Sequence, residues 1–203
     1  MSSAELSALL LLCTAMSFTP GPNTTLSAAL AANFGFRRAL RFVLAVAVGW
    51  GVLLSLCAAG VGVLVVSLPP LRWAVTASGI AYLLWMAWRL WHAHAMAQAD
   101  TSRLNVTFWQ GVMLQFLNIK AWMLALTVVG GWLIGRDDPW QRFAVILPLL
   151  LGFALASNLS YAWMGSLLRV WLADTAHGGR RLRWFNRSMA GALVVTAAWM
   201  TTF

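Results

Sequence analysis

Lys120 is the residue whose chemistry stands out, because it is the only lysine in the chain. It lies in a long apolar stretch, and no other charged residue occurs between Arg103 and Arg136. Gln115 and Asn118 precede it, and a helix turns through about 500° over five residues, so the three polar side chains can lean toward one side. A charged group at the centre of a bilayer costs roughly 2.5–3.5 kcal/mol, which indicates a functional role. The alternative is a lysine that only helps to close a helix break.

A second polar stretch lies near the start of the chain, in the sequence SFTPGPNTT from Ser17 to Thr25. Pro20 and Pro22 lack a backbone N–H, and Gly21 between them permits a sharp bend, so a helix is expected to break here. In hydrocarbon, such a break is tolerated only beside protein or water. Polar residues that follow a break favour a binding site over a simple proline kink. Three of them follow at once: Asn23, Thr24 and Thr25.

A third polar cluster lies in an otherwise uncharged run near residue 160. Asn158 and Tyr161 are three residues apart, so they share one face of a helix. Both are candidates for substrate contact, and hydrogen bonding between helices explains them equally well.

The composition is that of an integral membrane protein, with 61% hydrophobic and 9% charged residues. The net charge is +9, but no polar domain carries a dense basic patch, so nucleic acid is not an expected partner. The expected partner is the lipid bilayer. No CxxC motif occurs, and the histidines are expected to be solvated loop residues, so no metal and no other cofactor is expected. These histidines are His92, His94 and His177.

Division of the chain at charged and turn-forming clusters predicts six membrane helices, each judged against the roughly 20 apolar residues that cross a bilayer. Ten of the thirteen arginines lie in the connections after the first, third and fifth spans. The positive-inside rule makes that side cytoplasmic and places both termini outside. A five-span alternative would move the C-terminus inside. The predicted spans are 5–33, 42–68, 72–91, 106–135, 143–168 and 187–203.

Three spans on each side of a central connection predict two inverted three-helix repeats, because an odd number of spans inverts the second copy. The sequence RWAVTASGIAYLLWMAW from Arg72 is similar to RWFNRSMAGALVVTAAW from Arg183, with Gly79 opposite Gly191. This pairing makes the first span equivalent to the fourth, so both are expected to be broken helices. The oligomeric state, a homo-oligomer included, is left open. The boundaries are 1–92 and 106–203 for the repeats and 92–105 for a cytoplasmic connection, in a single membrane domain of 1–203.

Four tryptophans fall in the middle of predicted spans rather than at their ends. We expect all four to pack between helices or face lipid rather than line a cavity. They are Trp50, Trp85, Trp122 and Trp163.

The stretch FTPGPNTTLSAALAANFGFRRAL, which begins at Phe18, resembles the opening signature of the LysE/RhtB family, the lysine exporter and homoserine/threonine exporter group. The similarity continues in FWQGVMLQFLNIKAW from Phe108 and NRSMAGAL from Asn186, and it covers essentially the whole chain. The family usually has Asn-Pro-Lys in the fourth helix, where this chain has Ile119 in place of the proline. The flanking asparagine and lysine keep their spacing. The polar site is therefore expected to persist in a less strongly broken helix.

The resemblance implies a secondary transporter of the cell inner membrane that exports a small amino acid by proton-coupled alternating access. No Asp or Glu lies in the middle of a predicted span to pair with a cationic side chain, which favours a neutral amino acid. Lys120 is a candidate both for the substrate carboxylate and for the coupled proton, and the sequence does not separate these roles. The expected binding residues are Pro20, Gly21, Pro22, Asn23, Thr24, Gln115, Asn118, Lys120, Asn158 and Tyr161.

Other function classes fit the sequence less well. An exporter of a metal cation or another small metabolite is the alternative, but a metal site would need clustered ligands inside the spans. A membrane enzyme or redox carrier would need a nucleophile with a positioned base or paired cysteines. A scaffold would leave a lysine at mid-membrane without a reason.

Overall fold

The computed structural model describes residues 1–93, 106–173 and 179–201, apart from the side chains of residues 63, 64 and 66. All elements in these ranges are α-helices. Most of the predicted 92–105 connection, His94 and His177 lie outside the described residues. The helices are α1 Ser3–Phe18, α2 Pro22–Phe34, α3 Phe36–Ala58, α4 Val61–Ser67, α5 Pro69–Trp91, α6 Phe108–Leu117, α7 Ile119–Trp132, α8 Pro139–Leu172 and α9 Arg180–Met200.

The first predicted span consists of two helices, α1 and α2, that meet at an angle of 48°. α1 ends at Phe18, and α2 begins at Pro22. Proline suits the first position of a helix, because its missing N–H would have no partner inside the helix there. The predicted break at the PGP sequence is therefore confirmed.

The fourth predicted span is also broken, into α6 and α7, which meet at 65°. Asn118 separates them, and its side chain accepts a hydrogen bond of 3.2 Å from the backbone N–H of Lys120. Asn118 therefore caps the start of α7. The expectation that Ile119 would weaken this break is wrong, because an asparagine cap ends one helix and starts another without a proline.

The other predicted spans require corrected boundaries. The predicted span 42–68 is divided, because α3 ends at Ala58 and the short helix α4 follows. Gly60, between them, has a φ of +93°, in the left-handed region that favours glycine. α8 is longer than predicted and α9 starts earlier. By length and hydropathy, α3 and α8 can each cross a membrane, and the two bent pairs raise this number to four among the described residues. The chain is thus a polytopic α-helical membrane protein, without six established spans.

α2 is the most enclosed helix, and it packs against α3, α8 and α9. Two glycines allow close approach elsewhere in this core. A Cβ atom built on Gly165 of α8 would lie 2.2 Å from the carbonyl oxygen of Ala28 in α2. One built on Gly79 of α5 would lie 2.0 Å from the carbonyl oxygen of Leu117, at the end of α6. The backbone of α2 at Ala28 and the backbone at the end of α6 are therefore each packed to within a methyl group.

An ion-pair network ties the start of α1 to the segment that joins α7 to α8. Glu5 lies 3.1 Å from Arg136 and 3.3 Å from Arg142. Arg142 Nε–H also donates to Asp138 at 2.6 Å, and this hydrogen bond holds the pKa of the Asp138 carboxyl below its usual range. The indole of Trp132 donates to the Glu5 carbonyl oxygen at 3.0 Å. The N-terminal end of α1 is thus anchored to α7 and α8.

We predict that Gly79→Ala destabilises the folded protein, because the added methyl group meets the Leu117 backbone rather than a movable side chain. Overpacking of this kind typically costs about 1–3 kcal/mol. The thermal stability of the detergent-solubilised protein, followed by size-exclusion chromatography, measures the effect. Gly191→Ala on α9 is the matched control, because a Cβ atom there meets nothing within 4 Å. Equal stability of the two variants would contradict the prediction.

Candidate functional site

A cavity of about 60 Å³ lies where the two breaks face each other. α1, α2, α3, α7 and α8 all contribute to its lining. Its polar residues include Thr19, Asn23, Asn118, Lys120, Ser157 and Asn158, and its larger apolar residues are Met16, Val46, Trp50 and Leu124.

Lys120 connects the second break to the first. Its Nζ donates to the carbonyl oxygen of Thr19 at 3.2 Å, which is one of the groups freed where α1 ends. A Cβ atom built on Gly21 would lie 3.6 Å from the same Nζ, so the glycine backbone borders the ammonium group. Asn23 and Lys120 line one cavity. The two polar stretches of the sequence therefore meet in space.

The starts of two helices border this cavity, α2 at Pro22 and α7 just after Asn118. The first N–H groups of a helix have no partner within it and carry a partial positive charge. The Lys120 ammonium adds to this charge, and no acidic side chain among the described residues lines the cavity. The electrostatic environment favours an anionic group such as a carboxylate.

Asn23 and Gln115 form a reciprocal pair of amide hydrogen bonds between α2 and α6. Asn23 Nδ2 donates to Gln115 Oε1 at 2.8 Å, and Gln115 Nε2 donates to Asn23 Oδ1 at 3.1 Å. Gln115 is fully buried and does not line the cavity. It joins two helices next to the site and holds the Asn23 side chain in place.

Two further sets of hydrogen bonds join α2 to other helices toward its C-terminal end. Ser27 Oγ donates to Asn158 Oδ1 of α8 at 3.0 Å. Asn33 and Asn186 of α9 form a reciprocal amide pair with distances of 2.8 and 3.1 Å. α2 is thus fastened in succession to α6, α8 and α9. On the α1 side of the first break, the Met16 side chain is partly exposed.

Sequence reasoning missed Ser27, Asn33 and Asn186 as residues that join α2 to α8 and α9. Asn33 and Asn186 lie within the two stretches that carry the family resemblance, and both are buried. Asparagine inside an apolar membrane helix needs a partner, so this was the signal available.

The structure places most of the predicted binding residues at the cavity and three of them beside it. Gln115 is one of these three. Pro20 is exposed between the helices and does not line the cavity. Tyr161 lies outside the lining as well, but its hydroxyl donates to the Phe18 carbonyl oxygen at 3.1 Å and satisfies the end of α1. The residues at the cavity are Gly21, Pro22, Asn23, Thr24, Asn118, Lys120 and Asn158.

The expectation for the mid-span tryptophans is wrong for Trp50, which lines the cavity. Trp122 instead packs inside the protein and donates from its indole N–H to the Phe116 carbonyl oxygen at 2.8 Å. Trp85 and Trp163 are 41% and 61% exposed. Periodicity alone did not separate Trp50 from the others, because the bend in the fourth span decides which face of α3 meets the cavity.

The described residues contain no group of three or more His, Cys, Asp or Glu side chains that could hold a metal ion. Cys13 and Cys57 are buried with free thiols.

Comparison with known proteins identifies the family to which this fold and this site belong. The sequence model of the LysE type translocators matches residues 14–201. The chain is a member of the LysE type translocator family. It is therefore a multi-pass membrane transporter and not an enzyme. No solved structure matches the chain.

Curated relatives of this LysE-family chain bear the name cysteine/O-acetylserine efflux protein. The protein from Klebsiella pneumoniae is 31% identical over 206 residues, which is 98% of this chain and 97% of the relative. The one from Salmonella typhimurium is 30% identical over 167 residues, 81% of this chain and 82% of the relative. The one from Escherichia coli O1:K1 is 28% identical over 164 residues, 78% of this chain and 80% of the relative.

We predict that Asn23→Ala and Gln115→Ala each destabilise the protein by about 1–3 kcal/mol, because each leaves the other amide without its partner. The double variant should lose clearly less than the sum of the two single losses, since it leaves neither amide unpaired. Thermal denaturation of the four proteins in one detergent measures this coupling. Additive losses would mean that the reciprocal pair does not form.

Proposed function

We propose that this LysE-family translocator exports a small neutral amino acid from the cytoplasm across the inner membrane. Transport proceeds by proton-coupled alternating access, with the arginine-rich side in the cytoplasm and both termini outside. The observation that carries the proposal is the Lys120 ammonium in a small cavity between two helix breaks. The names of the curated relatives, which are amino-acid efflux proteins, support the same substrate class.

The cavity offers complementary groups to both ends of an amino acid. We assign the carboxylate to the Lys120 ammonium and to the N-termini of α2 and α7. The carbonyl oxygen of Thr19 now accepts a hydrogen bond from Lys120. When a carboxylate takes over Lys120, this oxygen becomes available to the substrate ammonium. Asn158 and Ser157 of α8 complete the polar lining.

The charges around the cavity support the proposal of a neutral substrate. A cationic side chain would place a second positive charge near Lys120, and the described lining holds no carboxylate to compensate it. An anionic side chain would add a second negative charge for which only Lys120 is present. A zwitterion with an uncharged side chain fits this environment with the least electrostatic cost.

Alternating access requires that the site be closed on one side at a time. The Asn23–Gln115, Ser27–Asn158 and Asn33–Asn186 contacts support closure toward the C-terminal end of α2. With the proposed topology this end is cytoplasmic, so the described state is closed to the cytoplasm. The breaks in α1–α2 and α6–α7 supply the hinges, and the inverted repeats give the second, opposite state.

Proton coupling also involves Lys120. It is the only titratable side chain that lines the cavity in the described part of the chain. A proton on Lys120 attracts the carboxylate, and its loss releases the substrate. One side chain can thus couple the occupancy of the site to the proton.

We predict that Lys120→Gln lowers transport about ten- to a hundredfold, because it removes a charged hydrogen bond to the carboxylate. Counterflow of amino acids in proteoliposomes, with and without an imposed pH gradient, measures the loss. Thr127→Ala, two turns along α7 and outside the cavity lining, is the control at matched protein level. Unchanged transport by the Lys120 variant would remove this residue from the mechanism.

The same assay separates the two roles of Lys120. Loss of both counterflow and gradient-driven transport is expected, since the ammonium binds the carboxylate. Retained counterflow with loss of the response to the pH gradient would restrict Lys120 to proton coupling. Absence of counterflow for every amino acid in the wild-type protein would contradict the proposed function itself.

A further inference from the structure

The inference concerns Trp50 and rests on the proposed function. Trp50 lies on α3, is 6% exposed and lines the cavity. Within the described part of the chain, its indole N–H has no hydrogen-bond partner. Among the described residues, the buried side-chain N and O atoms with neither a hydrogen-bond partner nor contact with solvent are the Tyr82 hydroxyl and Arg187 Nε. The Trp50 nitrogen is not one of them, so it is in contact with solvent. The accessible part of this buried side chain therefore includes the N–H group.

Two other tryptophans of the same hydrophobic cluster, the buried Trp122 and the partly buried Trp132, behave differently. The Trp122 indole donates to the Phe116 carbonyl oxygen, and the Trp132 indole donates to the Glu5 carbonyl oxygen. A buried indole N–H normally finds such a partner. An unpaired, accessible N–H group on a residue that lines the cavity is available to a transported molecule.

The position of Trp50 determines which part of the substrate it meets. The polar lining lies at the breaks, where Lys120 and Thr19 face each other. Trp50 packs in the hydrophobic cluster that also contains Leu9 and Cys13 of α1, together with Leu124. Its ring therefore packs on the α1 and α7 side of the cavity. A substrate held by its carboxylate at Lys120 directs its side chain toward this apolar part.

The size of the cavity limits the side chain further. A volume of about 60 Å³ accommodates a handful of water molecules, at about 10–15 Å³ for each. A short side chain fits this space beside the indole ring.

From these observations we propose that Trp50 determines specificity by donating a hydrogen bond from its indole N–H to an acceptor on the substrate side chain. The preferred substrates are small neutral amino acids whose short side chain carries an acceptor oxygen, such as a hydroxyl. Apolar amino acids of the same size leave the N–H group unpaired. A site built around a buried donor rejects such analogues.

The test compares L-serine with L-2-aminobutyrate, which have nearly the same shape but differ in the acceptor. Counterflow in proteoliposomes should favour serine about two- to tenfold in the wild-type protein, the range expected for one neutral hydrogen bond. Trp50→Phe keeps an aromatic ring without a donor, and it should bring the ratio of the two rates to about one. Trp50→His keeps a ring N–H and should retain a preference for serine.

The ratio is measured within each variant, so differences in protein level cancel. Trp163→Phe is the matched control, because Trp163 is exposed and does not line the cavity. Equal rates for the two amino acids in the wild-type protein, or an unchanged ratio in Trp50→Phe, would overturn the inference, and so would loss of the preference in the His variant. These outcomes require measurable amino-acid transport, so they are distinct from failure of the proposed function.

Discussion

The need to satisfy backbone groups freed inside a membrane governs the organisation of this protein. Where α1 ends, the Phe18 carbonyl oxygen accepts from Tyr161 and the Thr19 carbonyl oxygen accepts from Lys120. Where α6 ends, the Phe116 carbonyl oxygen accepts from Trp122. Hydrocarbon offers no partner to such groups, so side chains from other helices must supply them. The polar residues at the breaks thus satisfy the backbone at the same positions where they can contact a substrate.

This constraint also explains why α2 is buried while α1 is largely exposed. α2 carries its own polar side chains into the interior, and three of them bond to α6, α8 and α9 through Asn23, Ser27 and Asn33. α1 has polar contacts mainly at its two ends, through Glu5 and the carbonyls at the break. The α2 half of the broken span is therefore held by more polar contacts than the α1 half. Movement of one half against the other has a physical basis in this difference.

The repeat pairing predicted the second break, whereas local chemistry predicted the first, because proline and glycine act on the backbone within a few residues. The sequence also predicted that Asn23, Asn118 and Lys120 share one site, because isolated polar residues in apolar helices need polar partners. The lining role of Trp50 and the helix-joining role of Gln115 depend on the 65° bend between α6 and α7, which no local pattern encodes. The boundaries of the second span also escaped prediction, because α4 continues the apolar run of α3 without a change of composition.

The geometry of the second break explains the effect of Ile119, which stands where the family usually has a proline. A proline at this position would have no N–H group and would keep the helix broken in every state of the protein. Ile119 retains its N–H group, and Asn118 holds the break open through a side-chain cap to Lys120. An asparagine cap is worth about 1 kcal/mol, an amount that substrate contacts can offset. The same Asn118 borders the cavity. In this chain the bend between α6 and α7 therefore rests on a side-chain cap, whereas the PGP break in the first span is fixed by covalent structure.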